Sequence, residues 1–396
     1  MKRVTVLTVA LAAGALALTA CGGSSTTDSD QAVVETPVAE ATPADEATPT
    51  AEAAPDPLLE AIAYLDTRLS NPTSIGIDTP LSKKPEEGKL IVRLLTPVGI
   101  QTQIDLGNAE AAKALGWEYK SIPISADADG IQKAFQTALD MKPDGISYGG
   151  YPAAIITEQL QAALDAGIAV VPDSAVDAPG SAPGINVMLD GIPEQLAWGK
   201  DLAAYVAVDS ECAANVKIFT VSAFPILEPV VTGFTDYLNA TCPEATVEVV
   251  DQTLADIGTN TPKSVVSTLQ RDPSANYLLY TFGDLATGVG AALDDAGLTQ
   301  QAKTIGSAVS TGAIQNIRDG KDAAWVGLPP DILGWRTVDA FARIFNGDSL
   351  DPANAALLPS QIITQENVEG IVLDENGFYN AVSDYQEQFK KLWLVN

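Results

Sequence analysis

Short apolar runs alternate with longer amphipathic stretches along most of this chain, from Lys89 to Phe345. A continuous apolar run indicates a strand buried on both faces, and apolar residues at helical spacing indicate a helix. The predicted strands lie at residues 90–95, 118–124, 145–148, 168–171, 185–189, 216–221, 247–250, 277–281, 304–307 and 323–328. The predicted helices lie at residues 101–115, 129–141, 152–166, 192–207, 229–239, 261–271, 284–296, 312–318 and 332–345. This alternation favours an α/β fold with parallel sheets covered by helices on both faces.

The number of predicted strands is too large for one small sheet. An α/β barrel would need eight even repeats without a break between lobes, and the spacing of these elements is uneven. Two Rossmann-like lobes with parallel sheets therefore fit the pattern better than a single barrel. The length of 396 residues is sufficient for two lobes, each with its own core.

The pattern differs before Lys89. Residues 21–57 are rich in Ala, Thr, Pro and Glu and contain no aromatic residue, which is typical of a disordered stalk. Leu58 to Leu69 has the apolar spacing of a helix, and Pro72, Pro80 and Pro85 then indicate an extended segment. Residues 58–88 are therefore predicted to form a strap packed on the outside of the globular body.

The first residues have the layout of an export signal. Lys2 and Arg3 precede an apolar run from Val4 to Leu18. A membrane-spanning helix needs about 20 apolar residues, so this run is too short to span a membrane but suits a secretory signal. The sequence up to Cys21, followed by two glycines, resembles a bacterial lipobox. This resemblance implies a signal peptide at residues 1–20, lipidation of Cys21 and an extracytoplasmic protein anchored by lipid to the cell membrane.

Two alternatives to this interpretation are an ordinary signal with an unrelated Cys and a buried core helix. No second apolar run reaches the length that a membrane span needs. The remainder of the chain is therefore expected to be a soluble body on a lipid tether.

Composition excludes several kinds of function. The formal net charge of −29 argues against nucleic acid or anionic lipid as a partner and is most simply a solubility feature. His is absent, which excludes Ser-His-Asp and Cys-His catalytic sets and every metal site that uses His. The sequence also lacks a Walker A phosphate loop and a G-x-S-x-G motif. We expect no enzymatic activity, no cofactor and no metal.

Two cysteines remain besides Cys21. Cys212 and Cys242 each precede an apolar run that is predicted to be a strand. If the two strands are parallel neighbours, both cysteines lie at the same edge of the sheet, and an exported protein can hold a disulfide there. We predict this disulfide, and the alternative is two free thiols.

Several segments resemble the type I periplasmic binding proteins, in particular the ribose- and galactose-binding group. Lys113–Trp117 resembles the end of the first helix of that family, and Lys142–Ser147 resembles a strand entry. Ala166–Asp173 is similar to the fourth strand, and Gly233-Phe234 and Thr304–Gly306 are similar to a later helix and strand. The resemblance extends over most of the chain.

This resemblance implies a hinge of three crossovers near Leu189-Asp190, Leu328-Pro329 and Ser360-Gln361. The first lobe would then comprise residues 89–189 plus 329–360, and the second residues 190–328 plus 361–396. The family binds a small-molecule ligand between the lobes, and closure is read by the permease and the ATPase subunits of an ABC importer. A monomer of this kind is expected here. The alternative is a ligand-sensing partner of a membrane receptor.

The loops at the carboxyl ends of the strands supply the predicted ligand-binding residues. By similarity these are Thr96, Val98, Gly99, Ile100, Gly150, Tyr151, Asp173, Ser174, Phe224, Glu228, Asp284, Ser307 and Leu328. Asp173 is the leading candidate for ligand contact. The alternatives are a tight turn at Gly150, a helix N-cap at Asp284 and ordinary packing of Tyr151 and Phe224.

The loops also depart from the family pattern. Sugar binders of the family place Asn, Arg, Asp and Gln in these loops, whereas this chain has Pro97–Ile100, Ala308 and Leu328. An unpaired buried polar group costs about 1–3 kcal/mol, so such loops are a poor match for many hydroxyls. A sugar is the family default. An aromatic compound, or an amine attracted to Asp173 and Glu228, is the competing expectation.

Overall fold

The computed structural model describes residues 56–125 and 127–395. The strands in this part of the chain are β1 (Leu90–Leu95), β2 (Glu118–Pro123), β3 (Gly145–Gly149), β4 (Ala169–Asp173), β5 (Asn215–Thr220), β6 (Thr246–Asp251), β7 (Tyr277–Tyr280), β8 (Lys303–Gly306), β9 (Asp322–Val326) and β10 (Ile362–Thr364). The α-helices are α1 (Pro57–Arg68), α2 (Gly99–Ala114), α3 (Ala128–Asp140), α4 (Thr157–Asp165), α5 (Ile192–Asp209), α6 (Glu228–Thr241), α7 (Thr261–Arg271), α8 (Val289–Ala296), α9 (Thr311–Arg318), α10 (Pro330–Asn346), α11 (Asp351–Ala355) and α12 (Tyr385–Leu392).

The predicted signal peptide, the lipidation site at Cys21 and nearly all of the predicted stalk lie outside the described residues. Within the described ranges, no helix is both long enough and apolar enough to cross a membrane. Helix α1 begins at Pro57, and the side chain of Asp56 caps it by accepting a hydrogen bond from the backbone N–H of Leu58 at 3.0 Å.

The first lobe contains a four-stranded parallel sheet in the order β2-β1-β3-β4. The predicted strand at residues 185–189 is not formed. This segment joins β4 only through isolated bridges from Val170 to Ile185 and from Asp173 to Leu189. The backbone N–H of Met188 in this segment donates to the side chain of Asn354 at 3.1 Å.

The second lobe contains a six-stranded sheet in the order β6-β5-β7-β8-β9-β10. Its first five strands are parallel, as predicted, but β10 runs antiparallel to β9. The apolar pattern did not indicate β10, because a strand of three residues leaves too short a run to recognise.

The chain passes between the two sheets at the three predicted places. After Leu189 it enters α5, which packs against α6 of the second lobe. After β9 it enters α10, which packs against α2 of the first lobe. Two glycines permit this last contact: a Cβ at Gly107 would lie 2.8 Å from the backbone of Asp331, and a Cβ at Gly334 would lie 2.5 Å from the backbone nitrogen of Asn108. Residues 356–361 then return the chain to β10.

The segment before β1 contacts both lobes. Helix α1 lies on α5, where Tyr64 donates to the Asp201 carboxylate at 2.6 Å and Arg68 forms an ion pair with it at 3.0 Å.

The extended segment that follows α1 lies on the first lobe. There the guanidinium of Arg336 donates to the carbonyl of Ile75 at 2.6 Å, and that of Arg343 donates to the carbonyl of Thr79 at 2.8 Å.

The C-terminal helix lies on the first lobe, which corrects the assignment of all residues 361–396 to the second lobe. The ring of Trp393 stacks on Trp335 of α10 with centroids 5.0 Å apart. Its indole N–H donates to a carboxylate oxygen of Asp339 at 2.8 Å, while the other oxygen of Asp339 accepts from Arg343. The buried ion pair on α10 therefore holds the end of the chain against this lobe.

A disulfide joins Cys212 and Cys242, which confirms the sequence prediction. The two residues precede β5 and β6, which are parallel neighbours with Asn215 opposite Thr246. The bond therefore links the segment before β5 to the segment before β6, which is an outer strand of the second sheet. The two cysteines are 30 residues apart in sequence.

We expect that replacing both cysteines by Ser lowers the free energy of unfolding by about 3 kcal/mol, because the unfolded chain regains the entropy of an open loop. Urea denaturation of the oxidised protein and of the variant measures this difference. As a control, dithiothreitol should destabilise the wild type and leave the variant unchanged. Equal stability of the two oxidised proteins would show that the bond contributes nothing.

Candidate functional site

A cleft lies between the lobes, where the carboxyl ends of strands from both sheets face each other. Open α/β sheets bind ligands at this position. The cavity volume is about 60 Å³. The cleft is lined by Thr96, Val98, Ile100, Gln101, Gly150, Ser174, Asp190, Gln195, Trp198, Phe224, Ile226, Leu227, Thr281, Phe282, Ala308 and Leu328.

The structure brings seven of the predicted site residues to the wall of this cleft. They are Thr96, Val98, Ile100, Gly150, Ser174, Phe224 and Leu328. Each follows a strand, apart from Ile100 at the start of α2, so the rule that places ligands at strand ends identified them.

Much of the wall is apolar. Phe224 and Phe282 pack edge to face with ring centroids 6.5 Å apart and an interplanar angle of 73°. Trp198 lies on α5, is buried, and donates its indole N–H to the hydroxyl of Ser360 at 3.3 Å. Sequence reasoning missed Trp198 and Phe282. Phe282 lies just after β7 and could have been found by the rule used for the other loops. Trp198 lies within α5 and not after a strand, so this rule could not have found it.

Hydrogen-bonded side chains form the polar floor of the cleft. The hydroxyl of Ser174 donates to one carboxyl oxygen of Asp190 at 2.7 Å, and the amide of Gln195 donates to the other at 2.7 Å. Burial raises the pKa of Asp190 well above its usual range, and the nearby carboxyl of Glu194 raises it further. Ser174 and Asp190 both have φ near 50°, so the backbone itself turns these side chains together where the chain enters the second lobe.

Asp173 is not part of the wall, which corrects the leading site prediction. Its carboxylate forms a fully buried ion pair with Arg93, with N–O distances of 2.5 and 3.2 Å. Arg93 also donates to the side-chain oxygen of Gln101 at 2.6 Å. The signal for this pair was an Arg within the apolar run of β1, since a buried guanidinium needs a carboxylate partner.

Three further predicted residues do not line the cleft. The ring of Tyr151 stacks on Tyr148 in the core of the first lobe, with centroids 4.9 Å apart. Glu228 follows the 3-10 turn at Pro225–Leu227 and is exposed at the start of α6. The hydroxyl of Ser307 is buried and donates to the carbonyl of Thr281 at 2.6 Å.

Asp284 and Gly99 connect the lobes instead of lining the cleft. The backbone N–H of Gly99, at the start of α2, donates to the carboxylate of Asp284 at 2.8 Å. Val98 supplies no side-chain cap to α2, so the carboxylate of the second lobe caps this helix of the first lobe. Burial raises the pKa of Asp284, and the bond from Gly99 opposes this shift. The carboxylate therefore favours the arrangement in which the lobes meet.

The model of the periplasmic binding protein domain family matches residues 99–349. The chain belongs to this family, whose members are extracytoplasmic binding proteins of transporters and not enzymes. The type I resemblance inferred from the sequence is thereby confirmed. A search of curated proteins finds no match to the sequence.

Solved structures of transporter proteins have the same fold. A 5-methylthioribose transporter solute-binding protein from Thermotoga lettingae TMO is 20% identical with a TM-score of 0.66, and the match covers 81% of this chain and 100% of that one. A sugar ABC transporter protein from Yersinia enterocolitica is 19% identical with a TM-score of 0.66, and the match covers 79% and 98%. The glucose-galactose binding protein GanP from Geobacillus stearothermophilus is 22% identical with a TM-score of 0.62, and the match covers 71% and 99%.

We expect that Asp284→Ala shifts the lobes toward an open arrangement, because the N-terminus of α2 loses the side-chain cap that Asp284 supplies. A cap of this kind contributes about 1 kcal/mol, which corresponds to about a fivefold shift in the closure equilibrium. Small-angle X-ray scattering measures the shift as a larger radius of gyration. Asp295→Ala, which removes an exposed carboxylate on α8, is the matched control. An unchanged scattering curve for Asp284→Ala would contradict a role in closure.

Proposed function

We propose that this protein is an extracytoplasmic solute-binding lipoprotein that captures a small molecule in the interlobe cleft and delivers it to an ABC importer. The cleft carries this proposal, because it combines loops from both lobes at the strand ends where such sheets bind ligands. The contact between Asp284 and Gly99 gives closure a physical basis, and family membership supports the link to a transporter.

The wall of the cleft supports a ligand that is less polar than a free sugar. Three aromatic rings and several aliphatic side chains form most of it, and no Asn or Arg reaches the cavity from the described residues. Similar proteins are named for sugars and for 5-methylthioribose, which carries an apolar methylthio group. A ligand of comparable size with one apolar side and a small polar group matches the rings on one side and the Asp190 floor on the other.

Both lobes contact the ligand. Residues of the first lobe (89–189 plus 329–360) contribute Thr96, Ile100 and Ser174. Residues of the second lobe (190–328, with β10) contribute Trp198 and Phe224. The protein acts as a monomer, held by lipid on Cys21 at the end of the stalk.

We expect a small ligand with one apolar side and a small polar group to raise the melting temperature of the purified protein in a thermal-shift screen. Saturation at a hundredfold excess over Kd adds about 2.7 kcal/mol of stability. Phe224→Ala should abolish the shift, because the ligand loses an aromatic wall. Phe378→Ala, which truncates a half-buried ring outside the cleft, is the matched control. A ligand whose shift survives Phe224→Ala would have to bind elsewhere.

We expect Cys21→Ser to release the protein from the membrane fraction of the producing cells, because one thioether-linked diacylglycerol and an amide-linked acyl chain provide the attachment. Fractionation followed by immunoblotting measures the distribution. Ser substitution at Cys212, in an otherwise native chain, is the control and should leave the protein at the membrane. Membrane retention of Cys21→Ser would contradict the anchor.

A further inference from the structure

We propose that the ligand carries a protonated amine and that the carboxylate of Asp190 binds this group at the floor of the cleft. This inference rests on the proposed function, since it names the chemical class of the solute.

The charge around the floor is unbalanced. Asp190 is the only ionisable side chain among the described residues that line the cleft. Glu194 lies near it, and Asp173 is neutralised by Arg93. Arg336 is the remaining buried cation near both carboxyls, but its guanidinium donates to backbone carbonyls and forms no ion pair with either. Two carboxyls therefore share one guanidinium, and an ammonium group on the ligand would supply the second positive charge when Asp190 is ionised.

The hydrogen-bonding groups of the wall are mostly occupied as donors. Ser174 and Gln195 already donate to Asp190. The hydroxyl of Thr96 donates to the carbonyl of Gly149 at 2.8 Å, and the hydroxyl of Thr281 donates to the hydroxyl of Thr220 at 3.2 Å. These groups present oxygen lone pairs to a ligand. An ammonium group has three donors and no acceptor, so it can bond to more of these oxygens than a hydroxyl group, which has a single donor.

The aromatic wall suits the same ligand. A cation loses its hydration when it moves from water into the cleft. Contact with an aromatic face offsets part of this loss, because a cation–π interaction stabilises by about 0.5–2 kcal/mol. Trp198, Phe224 and Phe282 line the same cavity as Asp190. A carboxylate and aromatic rings that line the same cavity form a favourable environment for an organic cation and a poor one for an anion.

Binding of an amine is expected to be linked to proton release. Burial and the charge of Glu194 on α5 raise the pKa of Asp190, Asp173 on β4 raises it further, and the bonds from Ser174 and Gln195 oppose this. Arg336 on α10 also faces this carboxyl. The protonated carboxyl must lose its proton to pair with an ammonium group. Affinity for an amine should therefore increase as pH rises through the raised pKa of Asp190.

Isothermal titration calorimetry of the purified protein tests the proposal with primary amines and alcohols of the same shape. The pairs are phenethylamine with 2-phenylethanol and isopentylamine with isopentanol, together with ribose and glucose as neutral polyols. We expect an amine to bind at least tenfold more tightly than its alcohol and more tightly at pH 8 than at pH 5.5. Titration in two buffers of different ionisation enthalpy should show release of protons on binding.

Asp190→Asn should reduce the affinity for the amine at least tenfold and leave that for the alcohol within twofold. Asp236→Asn, which alters an exposed carboxylate on α6, is the matched control and should behave as the wild type. The pH dependence and the proton release are measured on the wild type, so they test the proposal even where the Asn variant does not fold.

The outcomes separate this inference from the proposed function. Binding of ribose, glucose or an alcohol without preference for the amine, and without a pH effect, would overturn the amine proposal and leave a solute-binding role intact. Absence of binding by every amine and every neutral compound would overturn both.

Discussion

The buried ion pair between Arg93 and Asp173 organises the ligand cleft. Arg93 stands within the central strand β1 of the first lobe, and its charge is tolerated only because Asp173, at the end of β4, meets it in full burial. The same guanidinium holds Gln101 at the start of α2. With Asp173 directed inward, the next residue, Ser174, turns toward the cleft and reaches Asp190. The polar floor thus depends on a pair that does not line the cavity itself.

The segment before β1 supports the cleft wall from the side that faces away from the cavity. Arg68 of α1 donates to the hydroxyl of Ser360 at 2.9 Å, and the same hydroxyl accepts from Trp198, whose ring lines the cavity. Since residues 69–88 continue onto the first lobe, this segment touches both lobes and the third crossover. Helix α1 therefore supports the wall without touching the cavity, and any change in the angle between the lobes must be accommodated along it.

Much of the architecture could be predicted because local patterns dictate it. The apolar runs of β1, β3 and β5 and the helical spacing of α3 and α7 are strong periodic signals, and parallel strand pairing follows from α/β alternation. The order of the strands within each sheet was not predicted and comes from the structure. The antiparallel β10 and the helix α12 were missed. One is too short for a period to be visible, and the other packs on the first lobe through Trp393, a contact that depends on residues more than fifty positions away.

The sequence by itself determined the α/β class, and it predicted the two lobes, the disulfide between Cys212 and Cys242 and the loops that could reach a ligand. These depend on periodicity and on the rule that parallel strands end at one edge. Only the tertiary structure decided which side chains in those loops face the cavity. Asp173 faces inward and pairs with Arg93, and Asp284 bonds to the other lobe instead of lining the cleft. Asp190, which was predicted only as a hinge residue, forms the floor of the cleft. Each outcome depends on a partner distant in sequence, because a buried charge takes the orientation that its nearest counter-charge or hydrogen-bond donor allows.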